Sequence, residues 1–294
     1  MSIAMLRTLL AVHDLGSFSA AADAVNVTQA AVSQQMRVLE RQWDVTLFDR
    51  ARRPPELTAV GRGVAARARA VVAGYDALVP ADRDGGLVGE CRLGAVPTSL
   101  AGLVPLAARV LGDAAPELQL NIVSGLTHKL ISDVRLGRLD LALVSRPRVL
   151  DDGLAWRPVA DEPLELIVPP HLADEPVEAL LHERPFIRFA RDAIVGELTE
   201  AWLQRHGIAV RERMVVEELH AAVNLVISTR SVAIVPRQCV ETLQSVPVGR
   251  VSLGADAPVR QLGLVHAALG SDGVAAAVAT ALREAVEVGH FDVR

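Results

Sequence analysis

The chain has 294 residues, of which 51% are hydrophobic, 22% are charged and only 3% are aromatic. This length is typical of two domains, and the hydrophobic content excludes a chain that is disordered throughout. The 30 basic and 35 acidic residues give a net charge of −5, which excludes a protein that coats nucleic acid over its whole surface. A single segment can still bind DNA.

The sequence predicts three helices in its first 60 residues. Regular leucine spacing predicts the first over 5–15, and Gly16-Ser17 ends it. A short second helix is predicted over 20–25 and a third over 29–43. Asn26 can adopt the left-handed turn between these two. The predicted N-caps are Ser19 for the second helix and Thr28 for the third.

At about 100° per residue, the third predicted helix has two distinct faces. Its apolar face comprises Val32, Met36, Leu39 and Trp43. Its polar face comprises Gln29, Ala30, Ser33, Gln34, Arg37 and Arg41. Glutamine and serine side chains can read base edges, alanine permits close approach, and arginine binds guanine or phosphate. This pattern favours a recognition helix, with an ordinary solvated helix as the alternative.

The second and third predicted helices, joined at Asn26-Val27, have helix-turn-helix geometry. The following segment, 45–50, leads to Arg52-Arg53-Pro54-Pro55, which favours a β-wing whose arginines hold phosphates. Residues 1–60 contain six arginines and six acidic residues, so they lack the positive balance typical of DNA-binding domains. DNA binding therefore depends on where the arginines cluster.

A long helix is predicted over 58–79. Its apolar residues recur every three or four positions, which is the spacing of a coiled-coil seam. The segment 80–86 predicts a linker, because it is rich in Asp and Gly. We expect the seam to pair with a second copy of the chain through Val60, Val64, Ala68, Val71, Tyr75 and Leu78.

After Glu90 the pattern changes to apolar runs that alternate with helical stretches. Such alternation predicts α/β units around a buried, parallel sheet. The predicted strands cover 91–96, 118–123, 139–144, 164–168 and 232–235.

The cysteine content and the N-terminal sequence indicate the cellular compartment of the protein. Cys91 and Cys239 are too few for a disulfide framework, and neither has the spacing of a metal site. The N-terminus lacks the basic head and cleavage site of a signal peptide. The longest uncharged stretch, 93–108, is too short to span a membrane. We expect a cytoplasmic protein with no membrane segment, metal or other cofactor.

Many short motifs follow one another in a fixed order near the N-terminus. They are Leu9–Val12, Gly16-Ser17-Phe18, Ala21-Ala22, Val27-Thr28-Gln29, Val32-Ser33, Leu39-Glu40, Leu47-Phe48-Asp49-Arg50 and Leu57-Thr58-Ala59-Val60-Gly61. This order resembles the N-terminal signature of LysR-type transcriptional regulators. Gly137-Arg-Leu-Asp-Leu-Ala-Leu and Val232-Ala-Ile-Val-Pro resemble, more loosely, the effector-binding domain of that family. Three features depart from the family pattern: Asp44 and Ser231 stand where glycine is usual, and Pro54-Pro55 stiffens the wing.

The resemblance implies an α+β, multidomain fold. A winged helix-turn-helix over 1–58 would be followed by a linker and dimerisation helix over 59–89. A C-terminal α/β effector-binding domain would cover 90–294, with two subdomains arranged as in periplasmic solute-binding proteins. We expect subdomain one over 90–160 and 265–294, and subdomain two over 161–264.

The resemblance also implies a sequence-specific transcriptional regulator whose activity a small-molecule effector modulates. The implied partners are a pseudo-palindromic operator in double-stranded DNA, further copies of the chain in a homodimer or homotetramer, and RNA polymerase. The expected DNA contacts are Thr28, Gln29, Ala30, Ser33, Gln34, Arg37, Arg50, Arg52 and Arg53.

Effector contacts are expected where predicted strands end. The strand 91–96 runs into Thr98 and Ser99 at the start of a helix, where hydroxyls and free N–H groups suit an anion such as a carboxylate. Simple helix capping is the alternative. Thr127 resembles the second cleft position of the family, with a turn hydroxyl as its alternative. The candidates from subdomain two are Arg188, Glu218 and His220, with a solvated surface as the alternative.

Three other functions compete with this interpretation. We expect no enzyme, because the GxSxG, P-loop, HExxH and GxGxxG patterns are absent, although His128 and Cys91 are candidate catalytic groups. The N-terminal helices disfavour a pure solute-binding protein. A redox sensor would need Cys91 to pair with Cys239, which their distant places in the predicted fold disfavour.

Overall fold

The computed structural model describes residues 2–52, 55–76, 87–237, 247–268 and 272–288. The predicted site residues Arg53 and Leu78, and also Cys239, lie outside these ranges. The N-terminal part contains α1 Ile3–Leu15, α2 Phe18–Ala24, α3 Gln29–Trp43, β1 Phe48–Asp49, β2 Glu56–Leu57 and α4 Ala59–Asp76. The first three predicted helices are thus confirmed to within a few residues.

Capping side chains explain where α2 and α3 begin. Thr28 caps α3 as predicted, since its hydroxyl accepts a hydrogen bond from a first-turn N–H at 3.2 Å. The cap of α2 is Ser17 and not the predicted Ser19, because α1 already ends in the left-handed residue Gly16 and α2 can begin at once. Asn26 has φ 54°, which confirms the predicted left-handed turn between α2 and α3.

The apolar face of α3 builds the core of the N-terminal part. Val32, Met36 and Leu39 are fully buried, in one cluster with side chains of α1, α2 and α4. Burial of each such side chain stabilises the fold by about 1.5–3 kcal/mol. The predicted apolar face is therefore confirmed. At the start of α4, the Thr58 hydroxyl accepts a hydrogen bond from the Gly61 N–H at 2.9 Å.

The C-terminal part is α/β, as predicted. Its elements are β3 Gly89–Ala95, α5 Pro97–Ala101, α6 Leu103–Ala114, β4 Leu118–Ser124, α7 Thr127–Arg135, β5 Leu141–Ser145, β6 Leu154–Val168, α8 Val177–Glu183, β7 Pro185–Phe189, α9 Ile194–Arg205, β8 Arg211–Val216, α10 Leu219–Thr229, β9 Ala233–Pro236, β10 Gly249–Ser252, β11 Val259–Ala267 and α11 Asp272–Val288. β3 is parallel to β4 and β5, and β7 is parallel to β8.

Two long strands, β6 and β11, connect the halves of this part. They pair with each other in antiparallel orientation, and β11 is also antiparallel to β5. The expectation of an all-parallel sheet is therefore wrong at the crossing. The reason is that the chain leaves the first half along β6 and returns along β11 beside it, so the two strands run in opposite directions.

Separate hydrophobic cores define the two subdomains. The buried residues of the first core lie within 91–160 and 262–286, and those of the second within 164–235 together with Leu253. The first crossing thus falls between residues 160 and 164. Leu262 already belongs to the first core, so the return lies a few residues before the expected boundary at 265.

No helix in the described part of the chain is long and apolar enough to cross a membrane. Within the same residues, no group of three or more His, Cys, Asp or Glu side chains is placed to hold a metal ion.

Candidate functional site

The exposed face of α3 carries the side chains that the sequence assigns to base reading. It lies opposite the buried face, so packing holds the helix on one side and leaves the other side open. The exposed side chains are Thr28 at the cap, then Gln29, Ala30, Gln34 and Arg37, with Ser33 half-buried.

Glu40 joins α3 to the wing that β1 and β2 form. Its Oε1 atom accepts hydrogen bonds from the N–H groups of Leu47 at 2.9 Å and Phe48 at 3.1 Å. Its Oε2 atom accepts from Arg50 at 2.8 Å. These bonds attach the start of β1 to α3. Arg50, expected to contact DNA, is therefore paired with Glu40 and positions the wing.

The arginines of this region differ in their ion pairing. Arg52 on the wing pairs with Glu56 at 2.8 Å and with Asp49 at 3.7 Å. All three side chains are largely exposed, and pairs of this kind contribute about 0–1 kcal/mol. No ion pair among the described residues uses Arg37 or Arg41 of α3. The groove between α3 and the wing is lined by Gln34, Arg37, Glu40, Arg41 and Arg50.

The predicted seam on α4 divides into two faces. Val60, Val71 and Tyr75 are each 51% exposed. Ala68 is instead buried against the core of its own chain, and Val64 is half-buried beside it. The buried face of α4 is rotated by about 90° from the exposed one. The expectation that Ala68 belongs to an intermolecular seam is therefore wrong, because that position packs within the monomer.

A cleft lies between the two subdomains of the C-terminal part. Subdomain one contributes residues 96–98, 126–127 and Ser145, and β11 contributes Arg260. The cavity volume is about 80 Å³, which suits a small molecule. The lining from subdomain two comprises Phe189, Ala190, Asp192, Ala193, Ile194, Val195, Glu217 and Glu218.

Arg260 and Glu162 form a buried ion pair at the floor of the cleft. They stand opposite each other on β11 and β6, and each is 1% exposed. Arg260 Nε donates to Glu162 Oε2 at 2.9 Å, and Nη2 contacts the same oxygen. Arg260 Nη1 donates to Thr98 Oγ1. Arg260 thus links the two crossing strands to subdomain one.

The start of α5 differs from its expected form. α5 has only five residues, Val96 is its N-cap, and no side chain caps it. The N–H groups of Ser99 and Leu100 both donate to the Val96 carbonyl, at 2.9 and 3.3 Å, so they are not open to an anion. Ser99 is buried outside the described cavity lining, and its Oγ has no partner within the described structure. Of the two expected hydroxyls, only Thr98 lines the cleft.

Thr127 and Glu218 line the cavity. The alternative of a turn hydroxyl for Thr127 has no support, because no hydrogen bond among the described residues uses its hydroxyl, and the N-cap of α7 is Leu126. Sequence reasoning missed Ser145, Asp192, Glu217 and Arg260. Ser145 ends β5, so the strand-end argument that selected Thr98 and Thr127 would have found it.

Arg188 and His220 are placed elsewhere than expected. Arg188 is 8% exposed and bridges Glu200 and Glu212, with distances of 3.0 Å to each. It also lies over the Phe186 ring, 5.1 Å from its centroid. His220 is exposed. Neither belongs to the cavity lining, and for Arg188 the reason is its commitment to two carboxylates.

Two family models match the chain. "Bacterial regulatory helix-turn-helix protein, lysR family" matches residues 3–62, and "LysR substrate binding domain" matches residues 84–287. The chain belongs to the LysR family. It is a transcriptional regulator with a DNA-binding helix-turn-helix domain and an effector-binding domain.

The LysR relatives carry several names. A probable hydrogen peroxide-inducible genes activator of Mycobacterium leprae is 36% identical over 171 residues, which are 58% of this chain and 55% of that protein. The match therefore covers about half of each of the two proteins. IlvR of Caulobacter vibrioides, an HTH-type transcriptional regulator, is 28% identical over 273 residues, covering 90% of this chain and 92% of IlvR.

A solved LysR-family structure shares the whole fold. A full-length OxyR variant from Pseudomonas aeruginosa has a TM-score of 0.80 at 23% identity, and the match covers 96% of this chain and 95% of that chain.

Two of the three departures from the LysR pattern, at Asp44 and Ser231, have local structural solutions, and Pro54 of the third lies outside the described residues. Asp44 adopts the left-handed conformation at φ 51° and ends α3, with its N–H donating to the Glu40 carbonyl. Arg230 adopts the left-handed conformation at φ 53° and ends α10. Ser231 next to it is buried, and its hydroxyl is 2.7 Å from that of Thr229. Both turns therefore form without glycine.

Proposed function

We propose that this LysR-family regulator reads the major groove of a pseudo-palindromic operator with the exposed face of α3. The observation that carries the proposal is the division of α3 into a fully buried apolar face and an open face of small, hydrogen-bonding side chains. We infer that it acts at the chromosome in the cytoplasm, with RNA polymerase as a further partner. We propose no enzymatic activity for it.

Replacing Ser33 and Gln34 by alanine tests the assignment of the reading face. Ser33→Ala and Gln34→Ala should each relax base preference at one operator position and cost about 1–3 kcal/mol, since a base-reading pair is lost. The measurement is binding to every single-base variant of a DNA fragment that the parent protein selects from a random pool. Unchanged affinity and preference in both variants would show that another face reads the bases.

Arginine substitutions separate phosphate contacts from base contacts. Arg41→Ala should weaken binding to all sequences alike and reduce the slope of log K against log salt by about 0.9, the value of one phosphate contact. Arg52→Ala serves as the comparison. Its smaller expected effect follows from its pairing with Glu56 and Asp49, which a phosphate has to displace. Salt titrations of both variants show which arginine contributes more to DNA binding. A larger loss of DNA affinity for Arg52→Ala than for Arg41→Ala would contradict the prediction.

We propose that the effector is a small molecule bound between the subdomains, where Thr98, Thr127 and Ser145 face the cavity. Binding modulates DNA affinity only if the ligand prefers one arrangement of the domains. A purely anionic effector, the expectation from the sequence, fits this cavity poorly. Its lining includes three carboxylates, those of Asp192, Glu217 and Glu218, and its single cation, Arg260, is already paired with Glu162.

Peroxide sensing is the competing function, because relatives are named for it. Cys91 does not suit this role. It is fully buried in β3, and burial raises the pKa of its thiol to about 12. The thiolate is the reactive form, so burial keeps Cys91 as the unreactive thiol.

A Cys239→Ser variant, which keeps Cys91 alone, should therefore bind DNA equally well before and after peroxide treatment. Iodoacetamide labelling with peptide mass spectrometry should leave Cys91 unmodified in the native protein and modify it after unfolding. The Cys91→Ser variant is the matched control. A peroxide response in Cys239→Ser that disappears when Cys91 is also replaced would contradict the prediction.

A further inference from the structure

The two sides of the cleft carry different chemistry. The floor and the subdomain-one wall present hydroxyls and one guanidinium group, from Thr98, Thr127, Ser145 and Arg260. Three of these are nearly inaccessible: Arg260 is 1% exposed, Ser145 3% and Thr98 7%. No hydrogen bond among the described residues uses the hydroxyls of Thr127 or Ser145. This side therefore offers hydrogen-bond donors to an oxygen anion in a desolvated place.

The opposite wall is acidic. Asp192, Glu217 and Glu218 line the cavity from subdomain two, and all three are exposed at its mouth. In the described residues no ion pair or side-chain hydrogen bond uses any of them. Glu218 is the N-cap residue of α10, but its carboxylate makes no capping bond. Three carboxylates without protein partners at one mouth favour a positively charged group on the ligand.

Neither a simple anion nor a simple cation satisfies both sides. An anion would face the three carboxylates at the mouth, and a cation would leave the hydroxyls of Thr127 and Ser145, which are unpaired within the described structure, without an acceptor. A ligand with both charges can interact favourably with both sides of the cleft. Its carboxylate would lie at the floor and accept hydrogen bonds from the hydroxyls, and its ammonium group would lie at the mouth.

We propose that the effector is a small α-amino acid with an apolar side chain, bound as the zwitterion. This inference rests on the proposed function, since it identifies the ligand class of the same cleft. The apolar side chain follows from the rest of the lining, which includes Val96, Leu126, Phe189, Ile194 and Val195. The small size follows from the cavity volume of about 80 Å³.

The placement of the charges also accounts for coupling to conformation. The carboxylate would be held by subdomain one and the floor, and the ammonium group by subdomain two. A zwitterion therefore draws the two walls together, whereas a ligand with one charge is held from one side only. A ligand that prefers the closed arrangement shifts the population toward it.

The test is calorimetric titration of the full-length protein with three matched probes. L-valine carries both charges, isovalerate lacks the ammonium group and isobutylamine lacks the carboxylate. L-valine should bind, and each of the other two should bind at least about tenfold more weakly. Comparable or tighter binding of isovalerate or isobutylamine would overturn the proposal, and so would the absence of binding by L-valine, L-alanine and L-leucine alike.

Charge variants locate the ammonium group. The double variant Glu217→Gln/Glu218→Gln should weaken L-valine binding about three- to tenfold while it strengthens the binding of isovalerate. Glu178→Gln, an exposed acid of α8 outside the cavity lining, is the matched control and should change neither. Thr127→Val should weaken both probes. Unchanged L-valine binding in the double variant would overturn the assignment of the acidic wall.

Operator binding is measured on the same preparations. If the protein binds its selected DNA but no α-amino acid, the ligand class is wrong and the regulator function stands. If it binds no DNA, the proposed function itself fails.

Discussion

Arg260→Met is expected to lower the free energy of unfolding of the effector domain by about 3–5 kcal/mol, since it leaves a buried carboxylate without its partner. The carboxylate that loses its partner is that of Glu162, which is 1% exposed in the floor of the cleft. The loss is measured by denaturant unfolding of the full-length protein, followed by circular dichroism. Both crossing strands carry the pair, so the defect should appear in the subdomain cores and not in the helix-turn-helix.

Two variants show whether the loss of stability comes from a buried charge without a partner. Glu162→Leu/Arg260→Met replaces the whole pair by apolar side chains of similar volume and should recover much of the stability, because such replacements are often close to neutral. Arg135→Met removes the exposed pair with Asp151, at 3.2 Å, and should cost less than about 1 kcal/mol. If the double variant is no more stable than Arg260→Met, the loss reflects packing or the bond to Thr98 instead.

Val71→Asp combined with Tyr75→Asp is expected to convert the regulator to monomers and to reduce operator affinity by about 10²–10⁴-fold. We propose that the exposed stripe of α4 pairs with its copy in a homodimer, from which a homotetramer can be assembled. Charging the stripe would bury carboxylates without partners, which is costly. Dissociation would also separate the two recognition helices that bind the two half-sites of one operator.

Sedimentation velocity and operator binding measure this effect together. Val149→Asp is the matched control, because Val149 is 81% exposed in a loop away from α4, and it should leave both properties unchanged. A double variant that sediments and binds DNA as the parent does would show that the stripe is not the dimer contact. Ala68 is not a suitable position for this test, since its burial within the monomer would confuse dissociation with unfolding.

The cleft shows which of its lining residues can be predicted from their position after a strand. Thr98 and Thr127 follow predicted strands and do line the cavity. Ser99, one position further, points into the protein, because α5 is a single short turn whose N–H groups bond to Val96. Arg188 looked equally suitable, but its placement depends on Glu200 and Glu212, residues whose proximity no local pattern reveals.

The sequence by itself determined the local structure of the recognition helix α3. The 3.6-residue period separates the buried Val32, Met36 and Leu39 from the open face of α3, and the Thr28 cap is a bond between residues three positions apart. Both signals lie within one helix, so no distant partner is needed to detect them. Only the tertiary structure decided which face of α4 is exposed, since neighbouring stripes share nearly the same spacing. It alone also brought Arg260 to Glu162, 98 positions away, on strands that touch because the chain crosses the cleft twice.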